Sequence, residues 1–470
     1  MTFLAPAFPA LAALLYALLG WNRVTAWLGA AASAGVLACG IAPPAGSWGL
    51  LRADALSAFM LIVIGAVALM AMLASPSYLD AELKAERTGP RALRRYGILT
   101  QALVAAMAVA VLAASLGVLW VAVEATTVLA AFLVGFRRTR RATEAAWKYV
   151  VICSVGIALA LLGIVMIHFA AAHAGVISLD LDVLTAHAAF LDPGVTRMAI
   201  ALLVLGFGTK AGLAPMHGWL PDAYSQAPAP VAALMSGVLS AVAFYAILRV
   251  KVISDAALGA PFARTILVVA ALASLAVAAL LLLAQRDYKR MLAYSSIEHM
   301  GLLSLGAAIG GRLALGAVLL HVLGHGLGKS ALFLSSGQLQ QAFGGSATDR
   351  VRGLAVRAPF LGAAFALGLF AILGLPPFSL FASEVGIVRA GFGAGLGWAV
   401  AVALALMLVV VAAMGRRARD MLLGPSPGGA AVPARDVVPL VLGLGACAVL
   451  GLFLGPLQVL LNAAVAGLAP

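Results

Sequence analysis

A few ionisable residues of this 470-residue chain interrupt its long apolar runs: Glu124, Lys210, Glu298, His299, His321, His325, Lys329 and Glu384. A charged side chain inside hydrocarbon is expensive, so each is a candidate functional residue before it is anything else. His321, His325 and Lys329 recur at i, i+4 and i+8 in LLHVLGHGLGKSALFL. At helical periodicity they line one face, each about 6 Å along the axis from the next. Three titratable groups so spaced, with bridging water, suit a proton relay. One histidine alone would read as a packing residue; two histidines and a lysine on one stripe argue against accident. The paired histidines have no acidic partner or HExxH pattern that would make them metal ligands.

Glu124 lies mid-run in LWVAVEATTVLAAF, and Lys210 in ALLVLGFGTKAGLAPMHGWLP. A lone buried lysine tends to lose its proton, and a nearby carboxylate holds it charged. The expected Glu124–Lys210 pair can therefore load and release a proton; the alternative is a static ion pair, which is a weak source of stability. Glu298 and His299 are adjacent in SSIEHMGLLS, so they should point about 100° apart, one inward and one to a neighbouring helix. Glu384, in AILGLPPFSLFASEVGIVRA, reads equally as a terminal proton acceptor or as a partner of Arg389. GHGLGKS (324–330) lacks the first glycine of a phosphate loop, because Leu323 stands there. No strand precedes it, so the match is rejected.

The elements that must hold these residues are membrane helices. The chain is 64% hydrophobic and 10% charged, against about a quarter charged in a soluble domain. Runs of roughly 20 apolar residues give about fourteen spans, near 3–20, 22–41, 52–75, 96–114, 115–136, 146–170, 197–222, 228–250, 261–284, 290–310, 313–340, 359–392, 394–415 and 437–465. Pro215 breaks the seventh span, and Pro376 and Pro377 break the twelfth. Each removes a donor and frees the carbonyl four residues back, at Ala211, Ile372 and Leu373. The breaks lie five spans apart, so spans 4–8 and 9–13 read as two five-helix repeats of opposite orientation, with a path at their interface. The units are residues 1–95, 96–250, 251–415 and 416–470, all of one all-α, polytopic membrane fold.

The formal net charge of +13 is explained by topology rather than nucleic acid. Of the 30 Lys and Arg, 21 fall on odd-numbered loops and 7 on even ones. That bias puts the odd loops in the cytoplasm and both termini on the outer, periplasmic side of a bacterial inner membrane. Cys39, Cys153 and Cys447 are far apart and read as packing residues, so no metal or cofactor is expected on this chain. No loop is long enough for a soluble domain. The Pro/Gly-rich stretch Met421–Asp436 reads as a flexible connection.

Four motifs carry a resemblance: GTKAGLAPMHGWLPDAYSQAPAPVAALMSG (208–237), RDYKRMLAYSSIEHMG (286–301), HVLGHGLGKSALFLSSG (321–337) and GLPPFSLFASE (374–384). They resemble the antiporter-like proton-translocating family of membrane subunits. That family serves respiratory NADH dehydrogenase, Mrp-type sodium/proton antiporters and energy-converting hydrogenases. IEHMG and the chain length are most similar to the component-F branch of hydrogenase-4-type complexes. The resemblance implies that Glu124 pairs with Lys210, that Lys329 is the central lysine beside His321 and His325, and that Glu384 is the terminal residue. Relatives carry histidine or lysine where Ser236 stands, so the step between the lysines would use water or Glu298 and His299. His217 is a further relay candidate.

The expected function is a proton-translocating subunit of a redox-driven complex. Its partners would be other membrane subunits and a cytoplasmic redox module whose metal centres lie on other chains. Alternatives are a sodium/proton antiporter subunit, the energising subunit of an inorganic-carbon uptake complex, and a membrane anchor that conducts nothing.

Overall fold

The structure, a computed structural model, describes residues 1–44, 46–425, 432 and 435–468. Its apolar runs are helices because, in lipid, a spanning segment must satisfy its own backbone groups. Two short helices, α1 (Ala7–Leu19) and α2 (Leu28–Ile41), precede the long α3 (Ala55–Lys84). A small antiparallel hairpin, Gly46–Trp48 with Leu51–Ala53, lies before α3 and departs from the all-helical expectation. Then come α4 (Pro90–Leu112), α5 (Leu116–Val134) and α6 (Arg140–His173). The tight α4–α5 connection is an N-cap, with Ser115 Oγ accepting from the Val118 N–H at 3.3 Å.

The seventh span is split into α7 (Pro193–Ala211) and α8 (Leu220–Gln226). It is followed by α9 (Ala229–Leu258), α10 (Ala260–Ala284), α11 (Tyr288–Ile309) and α12 (Gly311–Phe343). The twelfth span is likewise two helices, α13 (Pro359–Ile372) and α14 (Ser379–Gly393); α15 (Gly397–Leu423), α16 (Val437–Leu452) and α17 (Leu457–Ala466) complete the chain. Among the described residues ten helices are long and apolar enough to cross a membrane, eleven if α16 and α17 form one span. The fourteen spans read from sequence exceed this for physical reasons. The segments Thr25–Ile41 and Pro359–Ile372 are short, and α11 is made less apolar by Ser295, Ser296, Glu298 and His299. The last span, read as continuous, bends by 72° between α16 and α17, at Gly455–Pro456, where the proline cannot continue the helix. Of the connection read at Met421–Asp436, Pro427, Gly428, Gly429 and Pro433 lie outside the described residues.

At the first break, Gly212 adopts φ +90°, open to glycine without a Cβ penalty. Its N–H closes on the Gly208 carbonyl at 3.0 Å. Trp219 Nε1 donates to the Thr209 carbonyl at 2.9 Å, and the Ala214 N–H donates to Ser274 Oγ at 2.9 Å. The carbonyl rescued by a side chain is thus that of Thr209, two residues before the one the proline rule singled out.

The apolar windows of α9 and α12 are wholly buried, so the ionisable stripe of α12 faces protein rather than lipid. Around them α3 is fastened at both ends. Asp54 caps its start, accepting from the Ser57 N–H at 2.8 Å, and pairs with Arg249 at 2.7 Å and Arg52 at 2.5 Å. Burial alone would raise the Asp54 carboxyl; Arg249, the Ser57 N–H and Arg52 outweigh it and hold the group below the usual carboxylate range. At the far end the buried Glu82 meets Arg137 at 3.1 Å and Arg87 at 3.5 Å. Loop charge counting placed both Arg249 and Arg137 outside the core.

Candidate functional site

Lys210 ends its helix fully enclosed, with 1% of its surface exposed. Its Nζ donates to Thr127 Oγ1 at 2.8 Å and to Tyr149 OH at 2.5 Å, and stands 4.8 Å from the Tyr149 ring centroid. The direct ion pair expected with Glu124 is not formed among the described residues. Glu124 sits one turn before Thr127 on the same face of α5, and its Oε2 has no hydrogen-bond partner among the described residues. The lysine settles instead on two neutral oxygens, one on α5 and one on α6. An ammonium has three donors, so one remains beyond these two.

From Tyr149 an aromatic ladder leads inward: Trp219 at 4.9 Å between centroids, then Tyr224 at 5.8 Å. Tyr224 OH donates to the Met235 carbonyl at 3.0 Å and lies 2.7 Å from Ser240 Oγ. Residues Met235–Leu239 form a π-helical turn inside α9, a distortion that recurs at functional sites. On that turn Ser236 Oγ lies 2.9 Å from Ser296 Oγ of α11. Next to Ser296, Ser295 accepts a hydrogen bond from Lys329 Nζ, which also donates to the Leu292 carbonyl at 2.9 Å. Lys329 is 0% exposed. Ser236 therefore joins the π-helical turn beside Tyr224 to the helix that holds Lys329.

Beyond Lys329 the histidines gather. Glu298 Oε2 is 3.6 Å from His299 Nε2, His299 Nδ1 is 3.1 Å from His321 Nε2, and His321 Nδ1 is 2.9 Å from Ser383 Oγ. Glu298 and His299 thus meet each other, where helical geometry alone placed them on separate faces. His325 packs against this chain, its ring 5.0 Å from His299 and 6.4 Å from His321, and neither of its nitrogens has a partner among the described residues. Ser383 precedes Glu384, whose carboxyl folds back against Gly374 in the loop between α13 and α14. That loop contains Pro376 and Pro377. Arg389 is exposed, and no ion pair joins it to Glu384 among the described residues.

His217 is not brought into this row. Together with Pro215, Leu205 and Val269 it lines a largely apolar cavity of about 380 Å³ between α7 and α10. Lys289 was missed by sequence reading, which counted it with the loop charges Arg286 and Arg290. It lies in the first turn of α11, is 0% exposed, and donates to the Ala227 carbonyl at 3.1 Å. Nothing in RDYKRM separates it from its basic neighbours; only the packing does. Ser383 and Tyr149 were missed because neither is charged.

Residues 113–410 match the family described as NADH:quinone oxidoreductase/Mrp antiporter, TM. A hydrogenase-4 component F homolog of Methylacidiphilum infernorum (isolate V4) is 38% identical over 352 residues, 74% of each chain. An NADH-quinone oxidoreductase subunit N of Desulforudis audaxviator (strain MP104C) is 36% identical over 58% of this chain, which spans only 54% of that relative. A chain of the membrane-bound sulfane sulfur reductase, an archaeal respiratory membrane complex, superposes with a TM-score of 0.89 at 24% identity, covering 99% of this chain and 97% of that one, and so shares the fold. By the match over residues 113–410 and the identity to the component F homolog, this multi-pass membrane chain belongs to the NADH:quinone oxidoreductase/Mrp antiporter transmembrane family.

Proposed function

We propose that the chain carries protons through the membrane as one subunit of a redox-driven complex of the hydrogenase-4 or NADH:quinone oxidoreductase type. The observation that carries this reading is the buried row Glu298, His299, His321 and Ser383, whose neighbouring polar atoms lie 2.9–3.6 Å apart, with Lys329 bound to Ser295 one turn before Glu298 on α11 and the half-buried Glu384 following Ser383 in sequence. Such a row in a low-dielectric interior has little structural value, because buried charges are costly to hold. It has transport value, because every member but the serine can take and give a proton.

In this reading Glu124 and Lys210 receive the electrostatic signal from a neighbouring subunit. Lys210 leaves Thr127 and Tyr149 for Glu124 when that carboxylate is charged, and the change is passed by way of Ser236 and Ser296 to Lys329. A proton then leaves by Glu384. The redox centres lie on other chains, in a cytoplasmic module, and the Arg-rich loops face that module across a bacterial inner membrane, with both termini on the outer side.

Sodium/proton exchange is the second reading, and the Mrp part of the family's description favours keeping it. The Lys329 ammonium at the centre of the row disfavours a bound sodium ion by like-charge repulsion. The test is proton uptake by the intact complex, purified through a tag on this chain and placed in liposomes under an imposed potential, with and without sodium. Lys210→Ala and Lys329→Ala should each lose uptake while the complex stays assembled. Undiminished uptake in both variants would overturn the proposal, and uptake that requires sodium would transfer the row to ion exchange. Mass spectrometry of the same preparation should find iron–sulfur or hydrogenase-like subunits.

A further inference from the structure

We propose that Lys289 delivers protons to Lys329 from the Arg-rich end of the bundle, on the strength of its complete burial one helical turn before the Leu292 carbonyl that holds the Lys329 ammonium. The inference rests on the proton-transport reading above and adds to it the side of supply and the residue that supplies.

The placement is specific. Lys289 and Leu292 are three residues apart on α11, about 4.5 Å along the axis. Lys329 Nζ is bound to the Leu292 carbonyl at 2.9 Å and to Ser295 on the same helix. Both lysines therefore hang on one stretch of α11 backbone, one turn apart. Neighbouring basic residues behave differently: Arg290 reaches out to Asp222, whereas Lys289 turns inward to the Ala227 carbonyl at the α8–α9 joint. That carbonyl is its one hydrogen-bond acceptor among the described residues, although an ammonium has three donors. A purely structural clamp on one carbonyl would need only one neutral donor.

A polar cluster stands between the α8–α9 joint, where Lys289 is bound, and the surface. The α8–α9 joint lies against Tyr78, since a Cβ on Gly337 would touch Ala229 and stand 3.5 Å from Tyr78 Cε2. Tyr78 OH accepts from Arg137 at 2.7 Å, Arg137 pairs with Glu82 at 3.1 Å, and Glu82 pairs at 3.5 Å with Arg87, whose side chain is 46% exposed. Burial and the Arg137 guanidinium oppose a charge on Lys289, while the α11 cap Asp287 and Glu82 favour it, so the ammonium is poised to give up its proton. Occupancy of Lys289 and Lys329 by protons at once is opposed by their repulsion, so a proton loaded on the first favours release from the second.

The chemistry gives a sharp test, because lysine exchanges protons and arginine does not. In the tagged complex in liposomes, Lys289→Met should slow potential-driven proton uptake by about a hundredfold, the lower end of the range for loss of a positioned proton carrier. Lys289→Arg keeps a donor for Ala227 and a positive charge, and should be equally slow. Lys289→His should recover part of the rate, increasingly as the pH falls towards about 6.5, where imidazole titrates. Wild-type rates in Lys289→Arg would make the residue a clamp and overturn the inference, as would wild-type rates in Lys289→Met. If Lys289→Met does not assemble, the Arg and His variants decide by the same rule. Lys329→Met run in parallel separates the two ideas. Loss of uptake there with normal Lys289 variants rejects only the supply route, while normal uptake in Lys329→Met rejects the transport reading itself.

Discussion

His299 Nδ1 lies 3.1 Å from His321 Nε2, and the direction of that hydrogen bond is set two links away. Ser383 spends its hydroxyl proton on the Leu380 carbonyl at 2.8 Å, so it can only accept from His321 Nδ1. His321 in its neutral form then carries its proton on Nδ1 and accepts at Nε2, which makes His299 Nδ1 the donor. His299 Nε2 is left as an acceptor facing Glu298 Oε2 at 3.6 Å. The tautomers follow from the heavy-atom network. They give the chain a polarity in which a proton offered by Glu298 is taken at His299 and passed towards Ser383.

Ser383→Ala removes the group that fixes this polarity without touching a titratable residue. Proton uptake should fall by about tenfold, less than the roughly 10²–10⁴-fold of a group that itself carries the proton, and Ser383→Thr, which keeps the hydroxyl, should restore most of it. Uptake by the alanine variant at the wild-type rate would mean the histidines need no such orientation.

At the other lysine, Tyr149→Phe keeps the ring under Lys210 and deletes the oxygen at 2.5 Å. With one neutral acceptor gone, Lys210 should turn to Glu124 and stay there. We expect uptake to slow several-fold, about 1 kcal/mol for one lost hydrogen bond, and the loss to disappear when Glu124→Gln is added, because the trapping partner is then uncharged. An unchanged rate in Tyr149→Phe would place the Lys210 switch elsewhere.

The membrane class and the ionisable residues of the row were legible in the sequence because charge in an apolar run stands out at a glance, whereas the neutral Ser383 was not. His321, His325 and Lys329 needed only helical spacing. What sequence could not supply was contact across helices. Glu124 and Lys210 looked like partners because opposite charges attract, but Thr127 and Tyr149, both neutral, hold the lysine. Lys289 and Arg249 looked like loop charges because hydropathy near a span's end cannot tell an inward side chain from an outward one. The bend at Gly455–Pro456 lay in plain view and was passed over because the apolar run continues through it.

The Asp54 clamp predicts a pH dependence of stability. Its carboxyl is held below its unfolded range, so its contribution is complete above about pH 4, the unfolded value, and is lost as the pH falls towards the lower folded value. In detergent, wild type should lose thermal stability below about pH 4 more steeply than Asp54→Asn, which has no such group to protonate. Parallel curves for the two proteins would show that Arg249 and Arg52 gain nothing from the charge.

Gly374 offers a test of where the terminal carboxyl sits. Its φ of +63° is open to glycine, and a Cβ there would overlap the Glu384 carboxyl. Gly374→Ala therefore carries two costs, a backbone cost of about 1 kcal/mol and a clash that pushes Glu384 off its seat. Glu384→Asp withdraws the carboxyl by one methylene and should relieve the clash but not the backbone. In thermal unfolding the double variant should be more stable than the sum of the single losses by about 0.5–1 kcal/mol, the coupling of two side chains in contact. Strict additivity would mean that the carboxyl does not rest on Gly374, and Glu384 would then have to reach the outside from another position on α14.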